Sequence, residues 1–113
     1  MLVISILSVL LLLIYIFPVV QVCGDSMYPT FRDGDILLGC RLFRMKVEGI
    51  YVYIPPEGDK HVIKRLVHKI GHHMYFVGDN RDYSYDSREY GYISRDKVVA
   101  KYLFTIRRGK ECN

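Results

Sequence analysis

The sequence predicts a mainly β fold, in which an N-terminal apolar helix leads into one small, mostly antiparallel β domain. Three observations carry this. No Lys, Arg, Asp or Glu occurs before Asp25, so the first two dozen residues are chemically unlike the rest. Beyond them, short runs rich in β-branched and aromatic residues recur between turn-like clusters. Aromatics make up 13% of the 113 residues, ten of them Tyr and none Trp, which favours sheet over a helical bundle.

Residues 2–22 hold Leu, Ile, Val and Phe with few polar groups, namely Ser5, Ser8, Tyr15 and Gln21. At about 1.5 Å per residue such a run reaches the roughly 30 Å of a hydrocarbon layer, so a transmembrane anchor is expected over 1–22. A cleaved signal peptide competes with that reading, but no basic segment opens the chain and no small-x-small site precedes Gly24. Pro18 is expected to end or kink the helix. Residues 23–108 then form the β domain, with 109–113 as a tail. Orientation stays open at this level: Arg32, Arg41, Arg44 and Lys46 would place the domain in the cytoplasm by the positive-inside rule, a rule that is weak for long translocated domains.

Within the domain, Arg32-Asp33-Gly34-Asp35 reads as a turn before the short strand Ile36-Leu37-Leu38. Glu48-Gly49 introduces a strand over 50–54, and Pro55-Pro56-Glu57-Gly58-Asp59 turns the chain. A strand follows over 61–67, then a turn at Ile70-Gly71-His72-His73 and a strand over 74–77. A polar loop spans 78–91, and the last strand runs over 98–106. No internal repeat or low-complexity segment interrupts this pattern.

Net charge is +4, from sixteen Lys plus Arg against twelve Asp plus Glu. A basic domain tethered to a membrane suits anionic head groups. Nucleic acid is disfavoured as a partner, because the basic residues are interleaved with acids and form no recognisable motif. Cys23, Cys40 and Cys112 make no CxxC pair and no metal spacing, and the four histidines lack an HExxH arrangement.

The candidate nucleophile is Ser26, in Gly24-Asp25-Ser26-Met27-Tyr28-Pro29-Thr30. Pro29 stiffens this stretch and pushes Tyr28 towards an extended conformation. A serine in such a segment is ordinarily a turn residue; a base elsewhere in the chain would change its meaning. In the strand at 61–67, Val62, Lys64 and Leu66 share one face and Ile63, Arg65 and Val67 the other. Lys64 thus has apolar neighbours along its own face, and burial favours its neutral amine, which can take a proton from a serine hydroxyl. On the strand pattern alone a lysine that snorkels to water is the commoner outcome. A Ser-His-Asp triad using His61, His68, His72 or His73 is the alternative, although no spacing selects one histidine.

Three stretches together resemble type I signal peptidases, the membrane-bound Ser/Lys proteases that remove signal peptides. Gly24 to Thr30 resembles their nucleophile box, S-M-x-P-T. Lys64-Arg65 resembles their base box, a K-R pair inside an apolar strand. Gly78-Asp79-Asn80-Arg81-Asp82-Tyr83-Ser84-Tyr85-Asp86-Ser87-Arg88, with Gly91 beyond, resembles their G-D-N-x-x-x-S-x-D-S-R-x-x-G box. The similarity covers nearly all of residues 20–106, and the order of the boxes directly after an apolar segment is specific.

The resemblance implies Ser26 as nucleophile and Lys64 as general base, with Ser84 hydrogen-bonded to the Lys64 amine. It implies an Asp86–Arg88 ion pair bracing the loop, which Asp79 and Asn80 help to shape. Some family members have a serine two residues before the nucleophile that serves the oxyanion. Here that position is Gly24, so the task would fall to backbone N–H groups, chiefly that of Ser26. Only Pro55 to Lys60 lie where larger members insert an extra β domain, which implies a minimal catalytic core. The implied substrates are signal peptides of secretory preproteins, docked as an added strand, with small residues at the first and third positions before the cut. By position, Val20, Val22, Met27, Phe31, Leu37 and Ile63 would line the pockets for them. No metal or organic cofactor is implied. Membrane lipid and the protein-export translocon are the implied partners, and the implied location is the cytoplasmic membrane, single-pass, with the domain on the extracytoplasmic face. Two other readings stand beside this one: a specialised relative serving one pilin-type, conjugation-type or organellar inner-membrane substrate, and a silent membrane-anchored binding module.

Overall fold

The computed structural model describes residues 2–109; the last four residues of the expected tail, Cys112 among them, lie outside the described residues. Helix α1 covers Leu2–Ile16 and has no charged residue in its first or last turn. Seven strands follow: β1 Val19–Gln21, β2 Ile36–Cys40, β3 Ile50–Tyr53, β4 Val62–Ile70, β5 His73–Val77, β6 Ile93–Ser94 and β7 Val98–Arg107. They form a single sheet in the order β1-β2-β7-β3-β4-β5-β6, and every pairing is antiparallel. The expected mainly β, antiparallel domain is therefore the one observed.

The anchor differs from expectation. Among the described residues no helix is long and apolar enough to cross a membrane. The helix stops at Ile16, because Pro18 lacks an N–H and disfavours helical backbone at the residue before it. Its 15 residues give a rod of about 22 Å. The end of the expected anchor is strand, not helix: Val19, Val20 and Gln21 pair with Leu38, Leu37 and Ile36 at the sheet edge. A second strand absent from the sequence reading, β6, is short and pairs Ile93 and Ser94 with Met74 and His73.

β3 lies near the middle of the sheet and all four of its residues are buried. Side chains alternate across a strand, so β3 feeds two cores. Ile50 and Val52 join Val22, Met27, Phe31, Leu37, Ile63 and Ala100 on one face. Tyr51 and Tyr53 join Leu66, Met74, Phe76, Ile93 and Val98 on the other. Tyr53 stacks on Phe76 at a centroid separation of 4.3 Å. The Tyr51 hydroxyl donates to the Arg44 carbonyl and accepts from the Lys46 N–H, so the buried phenol is satisfied by the loop above it. β4 lies beside β3 with Lys64 opposite Tyr51, which puts the lysine on the aromatic face.

Candidate active site

The stretch after β1 folds into successive turns that bring Ser26 back over the sheet. Gly24 has φ +89°, in the region that favours glycine, and its N–H donates to Asp33 Oδ1 at 2.7 Å. Tyr28 N–H then donates to the Asp25 carbonyl, and Phe31 N–H to the Met27 carbonyl. Met27 and Phe31 are buried in the first core and hold the loop down, while Ser26 stays half-exposed. The Ser26 N–H makes no hydrogen bond to any described residue.

Lys64 Nζ lies 2.6 Å from Ser26 Oγ, within hydrogen-bond range, and Lys64 is only 5% exposed. Burial pushes its amine below the ordinary lysine range, and the Asp86 carboxylate opposes that shift in part. No carboxylate forms an ion pair with Lys64 among the described residues. A buried amine without a counter-ion favours its neutral form, the form in which it accepts a proton.

The loop after β5 closes the site. Asp86 is fully buried and its carboxylate is saturated with donors. Oδ2 accepts from Ser84 Oγ at 2.6 Å and from the Gly78 N–H at 2.9 Å. Oδ1 accepts from Arg88 Nε at 2.9 Å, and from the Arg88 N–H, which caps the one-turn helix Ser87–Tyr90 (α2). Burial alone would raise the carboxyl, but these hydrogen bonds outweigh it and hold Asp86 below the usual carboxylate range. Arg88 also donates to the carbonyls of Arg81 and Ser84, which ties the turn at Arg81–Tyr83 to α2.

Asp79 does the equivalent work on the opposite side. It takes a bidentate pair from Arg65 Nε and Nη2, both at 2.8 Å, and a short hydrogen bond from the Thr30 hydroxyl. Arg65 thereby joins β4 to the Ser26 loop through one carboxylate, whose pKa is lowered first of all by that guanidinium. Asn80 completes the link: its N–H donates to the Ser26 carbonyl and its Nδ2 to the Asp25 carbonyl, each at 2.9 Å.

The structure thus brings Ser26, Lys64, Asp79, Asn80, Ser84, Asp86 and Arg88 together, with one difference in wiring from the sequence reading. The Ser84 hydroxyl donates to Asp86, and no hydrogen bond joins it to Lys64. A carboxylate is the stronger acceptor for that proton. The six residues expected as pocket lining also meet, but as core: Val22, Met27, Phe31 and Leu37 are 1–3% exposed and Ile63 9%, with Val20 packed partly buried against them. The histidines lie elsewhere. His68 and His73 pack against Tyr92, and His72 Nε2 is 3.8 Å from Asp96. Among the described residues no group of three or more His, Cys, Asp or Glu is placed to hold a metal ion.

Two residues that matter here escaped sequence reasoning. A Cβ on Gly78 would come within 2.1 Å of Ser84 Oγ and 2.6 Å of the Ser26 carbonyl oxygen, so only glycine lets the loop approach Ser26. The glycine that opens the third box was the available signal. Asp35, read as a turn residue, is fully buried and accepts from the Arg32 and Gly109 N–H groups and from Arg108 Nη1. It fastens the residues after β7 to the loop that follows Ser26, and nothing in a D-G-D turn announces that.

A search of curated proteins found no match. Residues 67–106 match the family model described as signal peptidase, peptidase S26. That span contains Asp79, Asn80, Ser84, Asp86 and Arg88 and stops short of Ser26 and Lys64. Over those 40 of its 113 residues the chain is similar to the signal peptidase family, peptidase S26, a family of serine peptidases.

Proposed function

We propose that the chain is a membrane-bound endopeptidase that removes signal peptides from exported preproteins through a Ser26–Lys64 dyad. The observation that carries this is the 2.6 Å contact between Lys64 Nζ and Ser26 Oγ, made by a lysine that burial keeps towards its neutral form. The histidines are all engaged away from the serine or exposed, which favours the lysine over a triad.

Neutral Lys64 accepts the Ser26 hydroxyl proton as Oγ attacks the scissile carbonyl carbon. The oxyanion of the tetrahedral adduct is met by the Ser26 N–H, which makes no hydrogen bond within the described protein. The C–N bond breaks as the Lys64 ammonium gives its proton to the leaving amine, and the acyl group stays as an ester on Ser26. Lys64 then takes a proton from water, which attacks the ester; as the second adduct collapses, Oγ leaves and recovers the proton from Lys64.

The substrate adds as a strand along β1, an edge of the sheet that runs on towards Ser26. The apolar residues beneath, from Val22 to Ile63, give that edge an apolar backing suited to small side chains. The described side chains of α1 are exposed and apolar almost throughout, from Val3 at 76% to Tyr15 at 65%, so the helix needs an apolar medium. We place it in the cytoplasmic membrane with the domain on the extracytoplasmic face.

The test is cleavage of a preprotein by the full chain in reconstituted membranes. Ser26→Ala abolishes it, and Lys64→Arg lowers it by about 10²–10⁴ because the guanidinium stays protonated. Cleavage by Ser26→Ala, or a loss smaller than tenfold in Lys64→Arg, would refute the dyad, and dependence on His61 or His68 would favour a triad.

A further inference from the structure

A cavity of about 600 Å³, lined by none of the residues gathered around Ser26, lies between the β2–β3 loop, the β4–β5 turn and the 3₁₀ turn Arg95–Lys97. Its charged lining is basic: Arg44, Lys69 and Arg95, with His72 beside them and Met45 and Met74 as apolar floor. Neutral groups hold two of these cations. Lys69 Nζ donates to the Met45 carbonyl at 2.7 Å, and the Arg95 guanidinium lies 4.5 Å from the centre of the Phe43 ring. None of the three forms an ion pair with a described residue. The Asp96 carboxylate, next in sequence to Arg95, lies 3.8 Å from His72 Nε2.

The same loop touches the apolar helix. The Arg41 N–H donates to the Ile16 carbonyl at 2.8 Å, its Nε donates to the Tyr15 carbonyl at 2.7 Å, and its guanidinium lies 4.8 Å from the Tyr15 ring centre. Arg44 lies three positions after Arg41, a reach of at most about 10 Å. Leu42 is 71% exposed and Val47 41% exposed on that loop. Preorganised cations without acidic partners, exposed apolar side chains between them, and an apolar helix within one loop's reach are the components of a lipid-facing surface.

We infer that this cavity receives the phosphate of an anionic phospholipid head group, so that the domain rests on the membrane through residues 41–47 as well as through α1. This rests on the membrane reading proposed above. It orients the domain, because a second point of contact removes the freedom to swing about the end of α1.

The test uses the full chain in nanodiscs of phosphatidylcholine alone or with one-third phosphatidylglycerol, read by backbone hydrogen exchange. Exchange over 41–47 and 69–72 is expected to slow about tenfold or more in the anionic discs. The effect should vanish in about 1 M NaCl, where the screening length falls to about 3 Å. It should also vanish in the combined variant Arg44→Gln, Lys69→Gln and Arg95→Gln, with exchange in β3 unchanged as the check on folding. Equal exchange in both discs would overturn the site, and so would the same slowing by inorganic phosphate in phosphatidylcholine discs, which assigns a free anion instead. If the chain does not enter phosphatidylcholine discs at all, the anchor reading falls. Co-sedimentation with phosphatidylglycerol vesicles but not phosphatidylcholine vesicles then decides the site by itself.

Discussion

Lys64 and Arg65 are neighbours on β4, and the structure treats them in opposite ways. Lys64 points to the aromatic face, is 5% exposed, and contacts a hydroxyl without a carboxylate partner. Arg65 points to the other face, where Asp79 holds its guanidinium in two hydrogen bonds of 2.8 Å. Their pKa values move apart accordingly: burial lowers the lysine, and the hydrogen bonds to Asp79 raise the arginine. A paired cation supports structure, whereas a buried cation denied a carboxylate partner is driven towards its neutral form, the state that the proposed dyad requires of Lys64. Alternation along one strand is sufficient to produce both.

The largest way to break that contrast is to make position 64 behave like position 65. Lys64→Arg keeps a cation in the pocket and removes the base, and kcat is expected to fall by about 10²–10⁴. A loss smaller than tenfold in a single-turnover cleavage assay would show that the lysine is not the proton acceptor.

Next comes the loop that positions the pair. Gly78→Ala drives a Cβ into Ser84 and the Ser26 carbonyl, and should cost about 1–3 kcal/mol by urea unfolding, with a fall in kcat from the displaced serine. Unchanged stability and rate would mean that the close approach has no consequence.

Asp86→Asn sharpens the electrostatic side. It leaves donors from Ser84, Gly78 and Arg88 around a neutral amide and should cost about 2–3 kcal/mol. Because the Asp86 charge raises Lys64, its removal should move the rising limb of kcat/KM against pH to lower pH. The stability effect has its own sign. Both Asp79 and Asp86 are depressed in the folded state, so their contribution is fully present above the unfolded carboxylate value of about 3.9 and is lost as pH falls through the folded values. Acid unfolding of Asp86→Asn should therefore be shallower than that of the wild type.

The smallest expected effect is Thr30→Val, which removes one hydrogen bond to Asp79 while leaving Arg65 in place. About 1 kcal/mol of stability should be lost, with little change in the pH profile. A shift of the limb as large as that of Asp86→Asn would show that the two carboxylates are not separate in function.

The sheet was legible where its strands were long or strongly β-forming: residues 36–38, 50–54, 61–67, 74–77 and 98–106 all lie within or overlap observed strands. β1 was hidden because Val19–Gln21 continue an apolar run, and a hydropathy pattern cannot tell the last turn of a helix from a three-residue edge strand. β6 was hidden by its length of two residues. At the site, the alternation on β4 was enough to put Lys64 between Val62 and Leu66. Sequence carries no information on which acceptor a hydroxyl will choose, so the Ser84–Asp86 bond was out of reach, as was the burial of Asp35 under Arg108.

The most direct test titrates the Lys64 amine itself. With the lysines ¹³C-labelled in the full chain, its midpoint is compared with the pH profile of kcat/KM for preprotein cleavage. Lys64 is expected to titrate below the ordinary lysine range, with cleavage rising at the same midpoint. A Lys64 that titrates with the exposed lysines while cleavage is already complete at neutral pH would contradict it.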